Sequence, residues 1–369
     1  MPKIRILVVD DAAVVRRAVA EELGKDPALE VVATAANGRI ALARMAQVNP
    51  DVVILDIEMP EMDGLATLKE LRKTHRHLPV IMFSALTERG ASATLDALAL
   101  GATDYFTKPS NLGGLDASLE VIRDQLIPEI KALCGSADGQ REVPAGLSGA
   151  GLAPTPTGLP ASKPVARVPA AKTGAVHVVA IGASTGGPNA LAEVIRGLPA
   201  DLPVPLLIVQ HMPSMFTRLL AERLSAQFPI RVAEGVSGSV LKPGHAWIAP
   251  GDYHMVVVRD GAQARLLIHQ DPPENSCRPA ADVLLRSVAR AFGGNSLAVI
   301  LTGMGQDGLR GCEVVREAGG QVLAQDEATS VVWGMPGHVV RAGLADRVLP
   351  VSLIADEVLR RVQPNKVVQ

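Results

Sequence analysis

Short apolar segments alternate with helix-patterned segments along most of this 369-residue chain. In the first third, buried strands are predicted at residues 4–9, 31–35, 52–55, 80–83 and 103–106. Helices are predicted between them at 12–23, 38–47, 64–73 and 91–100. Repeated strand–helix units favour a parallel sheet with helices on both faces. Because the chain is too long for one ordinary core, we expect two domains.

A proline-rich stretch interrupts this alternation. Residues 135–172 contain many Pro, Gly, Ala and Ser residues and no aromatic residue, which is typical of a linker. We therefore divide the chain into a domain at 1–130, a linker at 131–174 and a second domain at 175–369. Strands of the second domain are predicted at 176–181, 205–209, 246–248, 255–259, 265–268, 297–301 and 321–325. The pair Asp260-Gly261 indicates a hairpin turn, so we expect a mostly parallel, doubly wound α/β sheet with one antiparallel hairpin.

The charge balance and the cysteines exclude several classes of protein. The net charge of −2 and the missing helix-turn-helix pattern argue against nucleic acid as the main partner. No apolar run reaches the ~18 residues of a membrane helix, and the N-terminus does not resemble a signal peptide. Cys134, Cys277 and Cys312 have neither disulfide nor zinc spacing. We expect a cytoplasmic protein that does not insert into membranes.

Acidic and polar residues follow the predicted strands of the first domain. Asp10 and Asp11 end the first strand, Asp56 the third and Ser84 the fourth, and Lys108 follows the fifth. Strand ends in a parallel sheet share one edge, so these groups are expected to converge. Clustered carboxylates repel one another unless a hard cation such as Mg²⁺ is present. Singly, each acid is as well explained as a helix N-cap or a solvated loop residue.

As a set, these residues resemble the receiver domain of response regulators. The resemblance rests on Asp10-Asp11, on Asp56 within Leu-Asp-Ile-Glu-Met-Pro, on Ser84-Ala85 and on Lys108-Pro109. It implies a flavodoxin-like (βα)5 fold with Asp56 as the phosphoacceptor, and Mg²⁺ bound by Asp10, Asp11, Asp56 and the backbone carbonyl of Glu58. Ser84 and Lys108 are implied to bind the phosphoryl group and transmit the switch. Tyr105 is either a reorienting switch aromatic or a packed core ring.

Polar clusters also follow three strands of the second domain. Ser184 stands in a glycine-rich turn after the first strand, His211 follows the second, and Asp307 lies in the loop after 297–301. A serine needs a base to become a nucleophile, and a carboxylate can orient that base. The order Ser, His, Asp differs from that of α/β-hydrolases.

Simpler interpretations of each residue remain open at this point. Ser184 is also explained as a helix N-cap, or the turn as a cradle for a nucleotide phosphate, although no P-loop lysine is present. His211 is also explained as a hydrogen-bonded structural residue. Asp252 and Asp326 are rivals of Asp307, and Cys312 is best explained by packing.

Longer motifs resemble the family of chemotaxis protein-glutamate methylesterases. They are Ile-Gly-Ala-Ser-Thr-Gly-Gly-Pro at 181–188, Gln-His-Met-Pro at 210–213, Arg278-Pro279 with Asp282, Leu-Thr-Gly-Met-Gly-Gln-Asp-Gly at 301–308, and the segment 325–337. His245, Trp247 and His338 look atypical beside that pattern. With the receiver, the resemblance covers nearly all of the chain outside the linker.

The resemblance implies a phosphorylation-activated hydrolase. It would remove methyl esters from chemoreceptor glutamates, releasing methanol, and deamidate receptor glutamines. Ser184, His211 and Asp307 would form the triad, with backbone amides near Thr185 and Met304 as oxyanion donors and no cofactor at this site. A chemotaxis histidine kinase would be the phosphodonor. The alternatives are a non-enzymatic regulator and a nucleotide-binding effector.

Overall fold

The first domain is built on a five-stranded parallel sheet with the order β2-β1-β3-β4-β5. The structure, a computed structural model, describes residues 2–108, 119–135, 175–261 and 263–363. The strands are β1 Ile4–Val9, β2 Leu29–Ala35, β3 Val52–Asp56, β4 Val80–Ser84 and β5 Asp104–Thr107. The helices are α1 Ala13–Gly24, α2 Gly38–Val48, α3 Gly64–Thr74, α4 Glu88–Ala99 and α5 Ile127–Gly135, the last preceded by a π-helical segment, Ile122–Leu126.

Both faces of this sheet are buried. Side chains alternate between the faces along each strand. Leu7 and Leu55 therefore belong to one apolar cluster, whereas Ile6 and Ile54 belong to another. Sequence prediction of a doubly covered parallel sheet is confirmed. Helix α5 extends to Gly135, five residues into the predicted linker; the rest of that linker lies outside the described residues.

The second domain is built on seven parallel strands in the order β14-β13-β12-β6-β7-β9-β8. Its strands are β6 Val178–Ala183, β7 Leu206–Gln210, β8 Arg231–Glu234, β9 His245–Ile248, β10 His254–Asp260, β11 Gln263–His269, β12 Ser296–Ile300, β13 Gln321–Gln325 and β14 Arg347–Leu349. Its helices are α6 Gly187–Arg196, α7 Ser214–Gln227, α8 Ala281–Phe292, α9 Leu309–Glu317, α10 Met335–Arg341 and α11 Val351–Val362. Strand β6 lies between β12 and β7, so the loops that follow these three strands are neighbours.

The predicted hairpin forms between β10 and β11. Asp260 pairs with Gln263 across the turn, and Gly261 has a φ of +58°, a backbone conformation that glycine adopts at little cost. The hairpin makes a separate two-stranded sheet and packs through Met255 and Leu266 in the same apolar cluster as α8. The prediction of a mostly parallel domain with one antiparallel hairpin is therefore confirmed. In the part of the chain that the structure covers, no helix has the length and apolar character needed to cross a bilayer.

The two domains contact each other through α4 and β5 on one side and α7 on the other. Arg218 of α7 pairs with Glu88 of α4 at 2.8 Å, and Arg223 pairs with Asp96 at 2.6 Å. Leu95 and Leu98 of α4 belong to the same apolar cluster as Phe216 and Leu220 of α7. This contact sets the α4 and β5 side of the first domain against the loops that follow β6 and β7.

Candidate functional sites

The acidic residues of the first domain meet at the carboxyl edge of its sheet, as predicted. Ligand oxygens of Asp10, Asp11 and Asp56 all lie within 4.8 Å of one another. Asp10 and Asp56 are buried, and the Lys108 Nζ lies 2.8 Å from a carboxylate oxygen of each. Three carboxylates with one open side form a donor set that suits a hard divalent cation.

The electrostatics of Asp56 reflect this crowding. Burial, with a contribution from the charge on Asp10, raises the pKa of Asp56 to about 6, against the opposing effect of Lys108. The Lys108 ammonium also lies 5.6 Å from the centre of the Phe83 ring. A cation bound here would remove the repulsion between the carboxylates and keep Asp56 ionised as a nucleophile. Ser84 is buried beside them and accepts a hydrogen bond from Thr94 Oγ1.

In the second domain, the structure brings His211 and Asp307 into direct contact. The His211 Nε2 lies 2.8 Å from an Asp307 carboxylate oxygen, although the residues are far apart in sequence. His211 follows β7 and Asp307 follows β12, on opposite sides of β6. The rivals have other partners: Asp252 lines the same cleft but pairs with Arg278 at 2.6 Å, and Asp326 accepts hydrogen bonds from Thr329.

Asp307 is held by several donors besides His211. Its oxygens accept from the backbone amides of Ala281, Asp282 and Gly308 and from the Asn275 side chain. Burial works to raise the pKa of Asp307, but His211 and the backbone donors outweigh burial and lower the pKa below its usual value. Asp307 is therefore a fixed, ionised partner for the imidazole.

Ser184 lies on the turn between β6 and α6, as predicted. Gly186 has a φ of +72°, which a residue with a side chain rarely adopts. Ser184 donates its backbone N–H to the Thr302 carbonyl at 3.0 Å. A Cβ on Gly303 would lie 2.8 Å from the Ser184 Cβ, so only glycine lets the loop after β12 approach this closely. Gln210 braces the turn from the side by donating to the Ser184 carbonyl.

Ser184, His211 and Met304 line one cleft of about 810 Å³ between the two domains. Among the described residues, the N–H groups of Thr185 and Met304 donate to no protein acceptor, so both are free to bind an oxyanion. The Ser184 hydroxyl makes no hydrogen bond to His211 in the described part of the chain. The opposite wall of the cleft comes from the first domain: Leu86, Asp104, Tyr105 and Lys108.

The remaining singled-out residues lie away from this chemistry. Cys312 is fully buried in an apolar cluster, as its packing interpretation predicts. His245 stacks on Trp247 within β9, with ring centroids 5.6 Å apart. His338 contacts the Gly334 carbonyl at 2.8 Å. None of these three atypical residues lines the cleft.

Sequence reasoning missed two groups that line the cleft. Cys277 lies against the other nitrogen of His211, with Sγ and Nδ1 3.5 Å apart. Asp104, at the start of β5, is buried at the domain contact next to the Thr185 and Gly186 turn; burial raises its pKa to about 7. Neither residue belongs to a recognisable motif, and only the fold brings them to Ser184 and His211.

Two families of known proteins match separate parts of this chain. Residues 6–120 match the response regulator receiver domain family, and residues 179–358 match the CheB methylesterase family. The protein-glutamate methylesterase/protein-glutamine glutaminase of Trichodesmium erythraeum is 54% identical over 98% of this chain and 100% of that protein. The protein of the same name from a Nocardioides species is 51% identical over 98% of this chain and 96% of its own. The crystal structure of the Thermotoga maritima CheB methylesterase catalytic domain is 40% identical, with a TM-score of 0.50, and covers 50% of this chain and 98% of that one.

Proposed function

The chain belongs to the family of receiver-linked CheB methylesterases, and from that premise we propose how its residues carry out the reaction. It is a hydrolase that acts as a protein-glutamate methylesterase and a protein-glutamine glutaminase. The observation that carries the catalytic proposal is that Ser184 and His211 line one cleft and that His211 is joined to Asp307 at 2.8 Å. The substrates we propose are methyl-esterified glutamates and specific glutamines on the cytoplasmic helices of chemoreceptors.

His211 must act through its Nδ1 atom, because its Nε2 is committed to Asp307. Neutral His211 takes the hydroxyl proton as the Ser184 oxygen attacks the ester carbonyl. The amides of Thr185 and Met304 stabilise the negative charge that forms on the carbonyl oxygen. The carbon–oxygen bond to the methoxy group then breaks, and His211 returns the proton so that methanol leaves.

Water completes the cycle. His211 takes a proton from a water molecule that attacks the acyl-enzyme. The ester bond to Ser184 then breaks, and His211 returns the proton to the Ser184 oxygen, which gives a glutamate and free serine. With a glutamine substrate the leaving group is ammonia, and the second half of the cycle is the same. Asp307 stabilises the imidazolium in both halves without being protonated itself.

The receiver regulates access to this cleft. Asp56 accepts a phosphoryl group from a chemotaxis histidine kinase, while Asp10, Asp11, Asp56 and the Glu58 carbonyl hold Mg²⁺. The cation supplies charge neutralisation during phosphoryl transfer. In the unphosphorylated arrangement the receiver forms one wall of the cleft and blocks the path of a receptor helix to Ser184. Phosphorylation at Asp56 weakens the contact of α4 and β5 with α7 and opens that path.

The experiment that tests this function measures methanol release from methylated receptor membranes, with and without Mg²⁺ and acetyl phosphate. We expect slow release without the phosphodonor and faster release with it. Release that does not change with the phosphodonor would contradict the switch and keep the esterase. The absence of release in both conditions, with receptor binding demonstrated, would contradict the enzyme and favour a regulator that only binds a partner.

A further inference from the structure

One short turn contacts both partners of the proposed base. Residues 274–277 connect the hairpin to α8. The Asn275 side chain donates to Asp307 at 3.0 Å and to Asp282 at 2.9 Å. Two residues later, the Cys277 Sγ lies 3.5 Å from the His211 Nδ1. The same turn therefore places the Asn275 amide against the Asp307 carboxylate and the Cys277 thiol against the His211 imidazole.

The surrounding structure fixes the position of this turn. Glu274 and Cys277 exchange backbone hydrogen bonds of 3.1 and 2.9 Å, and Glu274 forms a two-oxygen ion pair with Arg286. Asn275 and Ser276 have φ values of +52° and +62°. Two successive non-glycine residues in this region are strained and persist only where the fold holds them. These contacts therefore fix the position of Cys277 against His211.

The contact with Cys277 takes up the nitrogen that catalysis needs. An imidazole has two nitrogens, and the Nε2 of His211 is already bonded to Asp307 at 2.8 Å. Only Nδ1 is left to receive the proton of Ser184. In this structure Nδ1 faces the thiol, and within the described residues Ser184 has no hydrogen bond to it.

We propose that Cys277 is a positioning residue that competes with Ser184 for the Nδ1 atom of His211 and so holds the base off the nucleophile in the resting protein. This inference rests on the proposed function, because it assigns a partner to the same base. Hydrolysis then requires the imidazole to exchange a thiol for a hydroxyl. No covalent bond is made or broken at the Cys277 sulfur, so the contact with His211 is reversible and needs no redox partner.

The charge environment points the same way. Burial alone would lower the pKa of His211, but the hydrogen bonds to Asp307 and Cys277 outweigh it and raise the pKa to about 10. A raised pKa favours the imidazolium form of His211, which must lose a proton before it can act as a base. Without Cys277 one of the raising contacts is gone and the neutral fraction grows, tenfold for each pKa unit. The other titratable and charged groups around the cleft stay in place: Asp307, Asp282, Asp252, Arg278, Asp104, Lys108, Asp124 and Glu129.

The test compares the full-length parent with the Cys277→Ala variant, without phosphodonor. We expect methanol release to rise about three- to tenfold, and the acidic limb of the kcat/KM profile to move to lower pH. If Cys277 had only a structural role, the variant would release methanol more slowly and the acidic limb of its kcat/KM profile would not move. The matched control is Cys134→Ala, which removes a partly buried thiol that lies near the Asp51 carbonyl in the receiver; it should match the parent.

A second measurement separates this inference from the proposed function. The ring nitrogens of His211 are titrated by ¹⁵N NMR in a Ser184→Ala background, with and without Cys277→Ala. A lower pKa in the variant supports the competition whether or not the protein hydrolyses esters. An unchanged His211 titration, or a fall in hydrolysis by Cys277→Ala, overturns it. Absent hydrolysis in the parent with a shifted titration would contradict only the proposed function.

Discussion

The ring of Tyr105 stacks on the ring of Phe216, with centroids 4.7 Å apart and planes 16° from parallel. Tyr105 belongs to β5 of the receiver and Phe216 to α7 of the hydrolytic domain. Tyr105 also lines the cleft that contains Ser184. The stack therefore connects the last strand of the receiver, which leads to Lys108, with the helix that follows His211.

The stack predicts a defined effect of Tyr105→Ala on basal activity. An aromatic pair contributes about 0.5–1.5 kcal/mol beyond its buried area, so its loss should weaken docking and raise unphosphorylated methanol release by about two- to tenfold. Tyr105→Phe keeps the ring and should behave like the parent. Equal basal rates in the alanine and phenylalanine variants would show that the stack does not hold the receiver in place.

Ser184→Ala should abolish hydrolysis while leaving receptor binding intact. Removing the nucleophile of a serine triad typically lowers kcat by about 10⁶-fold, and the hydroxyl makes no structural hydrogen bond within the described residues. Ser239→Ala is the control, since Ser239 is a partly buried serine of the same domain that does not line the cleft. Methanol release and receptor pull-down are measured on the same preparations. Residual hydrolysis above one per cent, on the order expected for assay background, would refute the triad.

Asp56→Asn should leave the basal rate unchanged and remove the response to acetyl phosphate. Chelation of Mg²⁺ should have the same effect on the parent, because the clustered carboxylates need a cation for phosphoryl transfer. Asp63→Asn provides a matched control: Asp63 caps α3 by accepting from Ala66, which asparagine also does. Activation that survives Asp56→Asn would place the phosphoacceptor at another residue.

Docking should weaken as the pH rises through about 7. Burial raises the pKa of Asp104 to about 7 in the docked arrangement, and it also raises the pKa of the neighbouring Glu129. A carboxyl group whose pKa is raised by docking takes up a proton, so docking is strongest at low pH and is lost above that pKa. The ratio of basal to phosphodonor-stimulated rates should therefore increase between pH 6 and 8, by up to about tenfold per pKa unit. The ratio removes the pH dependence of the chemistry itself. In Asp104→Asn this increase should be smaller; an identical profile would exclude Asp104 as its source.

Most of the strands that sequence patterns predicted contain runs of apolar residues. β8, Arg231–Glu234, and β14, Arg347–Leu349, escaped prediction because both are short edge strands with charged residues. An edge strand pairs on one side only and needs less apolar surface. The convergence of the acidic residues was predictable for a related reason: parallel strands end at one edge, so strand-end residues meet.

The side chains that contact His211 and Asp307 were not predictable in this way. Asn275 and Cys277 reach Asp307 and His211 from a turn in which Asn275 and Ser276 adopt positive φ values. The backbone preferences of the residue types at 274–277 therefore did not predict that turn. Asp104 was read only as part of a strand, because its surroundings come from a different domain. Contacts that depend on the arrangement of two domains cannot be predicted from the hydrophobic periodicity within either domain.

The joining of both domains in a single chain changes what the contact between them has to achieve. Ion pairs at a protein surface, such as those of Arg218 and Arg223, add little to the affinity of separate proteins. A tethered partner, however, is present at an effective concentration in the millimolar range, so weak contacts suffice and can be released by a modest change in free energy. Under the proposed switch, each molecule carries its own inhibitor in a one-to-one ratio. The fraction of active enzyme is then insensitive to how much of the protein the cell makes.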